Sequence, residues 1–379
     1  MHPHPATDPH SAAEIDRHSR FAALTLAMTL PGDTVLYLLL PLHAAEFGVS
    51  LAEAGVLLAA NRLVRIAGYG KIAAFYAQRG PRAACTVAAL AAALATLGYA
   101  MLSGLWLLLI ARLLWGLAFA AMNIANQALP TAIPEGAARR SGHARSIVAA
   151  GPMIGLLAGA ALAEFTGPRP VFLILGLVSL LAIPMAWRLP QEPEGHAAPG
   201  PRFALPAPLD VWSFVFGLTL DGLFVIGLSI LAAEALPSGA GLAAGSALAL
   251  RYAAEIVLSP AGGALAHRHG AKPLLIGLSL ASSVGLALLG WGGVLLWPAA
   301  VGIILLRALL QPLPGPVAAE QNPGPARVPA LARQATWRDI GAGAGPLLAG
   351  VLLPVLPALV LWGGAALLLA GASLACRRR

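Results

Sequence analysis

Twelve apolar stretches divide the chain, most of them separated by short polar turns. They run near 21–43, 51–76, 83–103, 104–127, 144–166, 169–188, 211–235, 241–267, 273–293, 297–319, 334–353 and 356–375. A helix needs about 20 largely apolar residues to cross the hydrocarbon layer of a bilayer, so each stretch reads as one transmembrane helix, and the stretches are numbered here as spans 1 to 12. The fold class expected is an all-α membrane protein of two six-helix bundles. Residues 1–20 form a polar tail with His2, His4, His10 and His18, expected to be disordered. A Pro- and Glu-rich segment, 189–209, breaks the pattern and is expected to link a first bundle, 21–188, to a second, 210–379, which ends in a short basic tail.

The two halves repeat each other. Thr29-Leu30-Pro31-Gly32 returns as Thr219-Leu220-Asp221-Gly222, Gly80 as Gly270, Arg112 as Arg307, and Gly151-Pro152 as Gly345-Pro346. Four landmarks in one order at nearly one displacement indicate an internal duplication, an architecture from which secondary transporters are built.

Composition agrees. Of 379 residues, 58% are hydrophobic and 11% charged, against about 25% charged in ordinary soluble domains; the mean hydropathy is +0.79. The net charge of +8 would suit a nucleic-acid partner, but its distribution argues otherwise. With the N-terminus in the cytoplasm, that side holds Arg17, Arg20, Arg79, Arg82, Arg139, Arg140, Arg145, Arg188, Arg202, Arg268, Lys272, Arg327, Arg333 and Arg377-Arg378-Arg379, and the other side holds Arg169 alone. This asymmetry fits a multi-pass protein of the cytoplasmic (inner) membrane with both termini inside, and no nucleic acid is expected. Cys85 and Cys376 have no metal-binding spacing and read as reduced thiols; no metal or cofactor is expected.

A charge at mid-bilayer depth costs about 2.5–3.5 kcal/mol on the mildest scale and should avoid lipid. Spans 3, 6, 9 and 12 have no charged residue in their cores. Asp33, Arg62, Arg65, Lys71, Arg112, Asp221, Arg251, Glu255, Arg307, Arg338 and Asp339 all fall on the other spans. Every third helix is therefore expected to face lipid while the rest surround a polar space.

With these features the chain resembles the major facilitator superfamily over all twelve spans. Its loop motif between spans 2 and 3 is present in part as Gly80 and Arg82, and the second copy fits better, with Gly263, Arg268 and Gly270. The Arg-x-x-x-Gly of span 4 is Arg112 to Gly116. Span 5 carries Gly151, Pro152 and Gly155, similar to the core motif of proton-driven exporters in that family, although Ile147 stands where an earlier glycine belongs; Gly345 and Pro346 repeat it. The resemblance implies that helices 1, 4, 7 and 10 line a central cavity and 3, 6, 9 and 12 lie outside.

Asp33 lies about 12 residues into span 1, roughly 18 Å along a helix, and Asp221 sits near the matching point of span 7. Each is either a carboxyl that gains and loses a proton during transport or one half of a permanent ion pair. Arg112 stays charged; it binds an anion, controls the proton on Asp33, or simply pairs with it. Arg307 takes the equivalent place in span 10, ahead of Gln311-Pro312-Leu313-Pro314, which cannot remain regular helix. Arg62 and Arg65 share a face of span 2 beside Asn61, and Arg251 can pair with Glu255 one turn on. By the repeat Asn61 matches Arg251 and Arg65 matches Glu255, so an Arg65–Glu255 pair would gate the halves, the alternative being pairing within each half. Arg338-Asp339 is expected to pair structurally near the cytoplasmic edge. Asn123 and Gln311 are cavity candidates, and Tyr37 and Tyr252 are either cavity walls or packing residues.

Mid-membrane arginines outnumber acids, favouring an anionic or zwitterionic solute. The chain lacks the His-Glu-x-x-His, Gly-x-Ser-x-Gly and phosphate-loop patterns of membrane enzymes. The leading expectation is a monomeric secondary transporter moving a small organic solute, with proton-coupled export ahead of uncoupled import and ahead of a non-transporting sensor on a carrier fold.

Overall fold

The computed structural model describes residues 9–193, 205–228 and 240–378, and helix is its only regular structure among them. Nine helical stretches in the described residues are apolar and long enough to cross a membrane. One of these, Leu51–Met101, runs 51 residues and holds spans 2 and 3; its single non-helical residue is Gly80 (φ 79°). The reversal needs a left-handed conformation that only glycine adopts without strain, and its counterpart Gly270 (φ 87°) separates Ala240–His269 from Ala271–Trp291, spans 8 and 9. Above Gly80 runs the start of the linker: Arg82 donates from its backbone N–H to the Pro190 carbonyl at 3.1 Å and from Nε to that of Leu189 at 2.7 Å.

The remaining spans follow the apolar pattern. Span 1 lies in Pro9–Leu42, span 4 is Leu105–Ala128, span 5 is Ala137–Thr166, span 11 is Arg327–Leu352 and span 12 is Ala358–Ala375. Span 6 is split into Pro168–Ser179 and Ala182–Ala186, and span 10 into Leu296–Leu310 and Pro314–Gln321; the break in span 10 falls at the prolines that predict it. Span 7 departs from plain α-helix, since Pro208–Phe216 continues as a π-helical segment, Gly217–Leu223.

One expectation is corrected here. Residues 9–20 belong to the first helix instead of a disordered tail, and within them Glu14 pairs with Arg17 (3.5 Å) and with His18 (3.8 Å) one turn on. Residues 1–8, and the middle of the expected linker, lie outside the described residues.

Exposed apolar side chains occur on the spans expected to face lipid, and also on others, such as Leu63 on span 2, Ile110 on span 4, Leu157 on span 5, Val257 on span 8 and Val351 on span 11. Val87, Leu90 and Leu94 on span 3, Leu173 and Leu177 on span 6, Val284 and Leu288 on span 9, and Leu359, Val360, Leu367 and Leu368 on span 12 are exposed apolar side chains. Stripes of this kind need an apolar surrounding. Inside each half, small residues let helices approach closely. A side chain at Gly155 would lie 2.7 Å from the Pro31 Cα, and one at Gly345 would lie 2.6 Å from the Gly222 Cα. The repeated Gly-Pro motifs thus pack span 5 on span 1 and span 11 on span 7.

The halves meet mainly toward the side that carries the Gly80 turn and the start of span 1, here the tail side. The apolar core of the second half extends into the first through Ala22, Tyr69, Tyr76, Ile124, Leu129 and Ala138, all near tail-side helix ends. Cys376, just beyond span 12, is buried there, which pushes its thiol up to about 11 and leaves it inert.

Candidate functional site

The first half builds one charged centre. Asp33 on span 1 pairs with Arg112 on span 4, and Asn61 on span 2 donates from Nδ2 to the same carboxylate oxygen at 3.3 Å. Arg112 is fully buried; its Nε donates to the Leu57 carbonyl at 3.1 Å and its Nη2 to the Tyr37 hydroxyl at 3.3 Å. Tyr37 in turn donates to the Leu58 carbonyl, and it stands 42% exposed.

The second half builds a larger centre at the equivalent place. Asp221 accepts from Arg307 Nε at 2.9 Å, Arg338 Nε at 2.9 Å and Arg251 Nη2 at 3.3 Å. Glu255, fully buried on span 8, pairs with Arg307, with Arg251 at 3.8 Å and with Arg145 of the first half. Arg338 also donates to Gln311 Oε1 at 2.9 Å, at the break in span 10. Asp221 lies in the π segment, whose i→i+5 turn changes the phase of the helix. Asp221 meets Arg307 from this segment as Asp33 meets Arg112, although the two acids are out of register in the repeat.

Among the described residues two ion pairs cross between the halves. Arg65 on span 2 holds Asp339 on span 11 through two bonds, Nε to Oδ2 at 2.8 Å and Nη2 to Oδ1 at 2.9 Å, with its guanidinium 4.5 Å from the centre of the Phe119 ring. Arg145 on span 5 donates from Nε to Glu255 Oε2 at 2.8 Å, and the neighbouring Ser146 donates to the Ile256 carbonyl at 2.6 Å. Close by, Gly142 packs on Gly263, where a side chain would lie 3.2 Å from the Gly263 Cα. The expected Arg65–Glu255 pair is therefore corrected, since each of these residues takes a different partner from the opposite half. Arg338 and Asp339 are corrected as well: consecutive on one helix, they point apart, Arg338 into the second-half centre and Asp339 across to Arg65.

Other predicted residues take quieter places. Asn123 donates to the Tyr69 hydroxyl at 3.3 Å, and Gly116 packs on span 2, where a side chain would lie 2.8 Å from the Asn61 carbonyl oxygen. Tyr252 is half-buried beside Arg251, Arg268 is exposed, and Arg62 is half-buried, outside the ion pairs formed among the described residues. Sequence reasoning missed Arg145, counted there as a loop charge. The repeat held the signal, because Arg145 stands as far before Asp339 as Gly151 stands before Gly345.

Among the described residues no cluster of His, Cys, Asp and Glu is suited to a metal ion. Among those same residues the two charged centres, the cross-half pairs and the neighbouring Arg62 together hold seven arginines (Arg62, Arg65, Arg112, Arg145, Arg251, Arg307 and Arg338) and four carboxylates (Asp33, Asp221, Glu255 and Asp339).

A family model described as Major Facilitator Superfamily matches residues 22–240. No curated protein matches the sequence. Several solved structures share the fold. The human organic anion transporter MFSD10 (TETRAN) superposes with a TM-score of 0.79 at 16% identity, covering 96% of this chain and 99% of that one. The proton:xylose symporter XylE gives 0.78 at 14% identity, covering 96% and 95%. A bacterial homologue of the iron transporter ferroportin, in an outward-facing state, gives 0.71 at 15% identity, covering 95% and 99%.

Proposed function

Because the chain belongs to the major facilitator superfamily and is a multi-pass membrane transporter, we propose that its cargo is a small organic anion, moved by alternating access of the cleft between the halves. The excess of arginines over carboxylates carries this reading. An uncompensated cation in a low-dielectric cleft is costly, and an anionic cargo supplies the missing charge. Among the described residues Arg62 brings a cation without a carboxylate partner, while Arg251 Nε and Gln311 Nε2 are buried donors without a hydrogen-bond partner. The likeness to an organic anion transporter agrees in cargo charge.

The positive residues of the tail-side turns support a cytoplasmic position for that side, in a protein of the inner membrane. The cross-half pairs then close the cytoplasmic side. Coupling to protons runs through Asp33: a proton arriving there displaces one guanidinium, Arg112, whereas at Asp221 it must displace three. The transporter works as a monomer and exports its cargo in exchange for protons, a direction favoured by the Gly151-Pro152-x-x-Gly155 motif. Proteoliposomes loaded with labelled organic anions and given a pH gradient test this. Gradient-driven release of anions, with matched organic cations retained, is expected; transport of cations alone overturns the cargo class, and a rate indifferent to the gradient overturns the coupling.

A further inference from the structure

A second cationic cavity lies outside the cleft, between the tail-side ends of spans 1 and 5. It encloses about 260 Å³, and its lining includes Asp16, Ser19, Arg20, Arg139, Arg140 and His143. Three arginines and one carboxylate are among the residues that line it. Arg140 is buried and fixed, its Nε donating to the Pro130 carbonyl at 2.8 Å and its Nη2 to the Ile133 carbonyl at 2.7 Å. Its Nη1 stands 3.8 Å from Asp16 Oδ1, too far for a hydrogen bond. Ser19 is only 3% exposed, and among the described residues its hydroxyl has no hydrogen-bond partner. A buried hydroxyl without a partner is costly, and this one lines a cavity whose other donors are three arginines and His143, with Asp16 Oδ1 as a buried acceptor that also has no hydrogen-bond partner among the described residues.

We propose that this cavity binds a phosphate group. The tetrahedral oxyanion offers acceptors in several directions at once, matching guanidinium forks on two helices and the Ser19 hydroxyl between them. A carboxylate, with two oxygens in one plane, engages fewer of these donors. The place suggests the source: Ser19 and Arg20 immediately precede the apolar run of span 1, and Arg139 and Arg140 precede that of span 5, at the depth where basic pockets between membrane helices meet lipid headgroups. Soluble phosphate shares the same chemistry and is the alternative source.

The test uses the full-length protein in detergent, with phosphatidic acid, diacylglycerol of the same chains, and inorganic phosphate as probes, read by lipid retention in native mass spectrometry and by competition. Phosphatidic acid is expected to be retained and diacylglycerol lost. Displacement of phosphatidic acid by millimolar inorganic phosphate assigns the site to phosphate from either source, and its absence assigns the site to the lipid. Arg20→Gln with Arg139→Gln is expected to weaken retention by about tenfold or more, the effect of losing charge-assisted hydrogen bonds, and Ser19→Ala to weaken it less. Arg20 and Arg139 are exposed, and an unchanged melting temperature without lipid confirms that the double variant is folded; Arg377→Gln serves as a charge control. Equal retention of phosphatidic acid and diacylglycerol, or retention by the folded double variant equal to wild type, overturns the proposal.

Discussion

Arg65 and Asp339 meet across the boundary between the halves in a two-bond ion pair, and the internal repeat carries them onto Glu255 and Arg145, which form the other cross-half pair. The two latches are symmetry mates with their charges exchanged. The second has an added connection, because Glu255 also holds Arg307 of the second-half centre. Parting the halves strips Glu255 of Arg145 while Arg307 stays beside it, so the latch and the cleft share one carboxylate.

Removing one member of a buried ion pair leaves the other uncompensated, at a cost of about 3–5 kcal/mol. Arg65→Ala is therefore expected to shift the protein away from the tail-side-closed state, and Arg65→Asp with Asp339→Arg to restore it. Accessibility of a cysteine introduced at Ser146 to a membrane-impermeant thiol reagent checks this: labelling rises in the single variant and falls back in the exchanged pair.

Replacing Asp33 by Asn leaves Arg112 with no carboxylate partner and removes the proposed proton carrier. Gradient-driven flux is expected to be abolished while exchange of labelled for unlabelled cargo continues. The two rates, measured in the same proteoliposomes, separate a coupling residue from a packing one.

Arg62 sits in the cleft outside the ion pairs formed among the described residues, and a side chain at Gly343 would lie 3.3 Å from its Cδ. Arg62→Ala is expected to raise the KM for an anionic cargo by about tenfold, the order of one charge-assisted hydrogen bond, with the melting temperature preserved. Arg65→Ala, by contrast, should lower both stability and rate.

The Gly-Pro contacts predict a stability contrast. Gly155→Ala and Gly345→Ala force a methyl group against backbone and are expected to destabilise by about 1–3 kcal/mol. Gly70→Ala, with nothing within 4 Å of the new methyl group, is expected to be neutral or stabilising by up to about 1 kcal/mol. Thermal unfolding in one detergent compares the three.

The apolar spans and the duplication were legible because each follows from local chemistry: an apolar run of sufficient length crosses a bilayer, and a charge avoids lipid wherever its chain goes. The pairing of Asp33 with Arg112 was legible for the same reason, since two opposite charges at one depth in one bundle have few other partners. The choice among several arginines was not. Arg65 takes Asp339 from a helix 274 positions away, Glu255 takes Arg145, and Asp221 reaches Arg307 from a π turn whose phase no periodicity announced. Sequence set which groups must leave the lipid; the tertiary structure decided which of them meet, because an ion pair depends on distances of a few ångströms that only the packing of whole helices, set by glycine contacts and one wide turn, brings about.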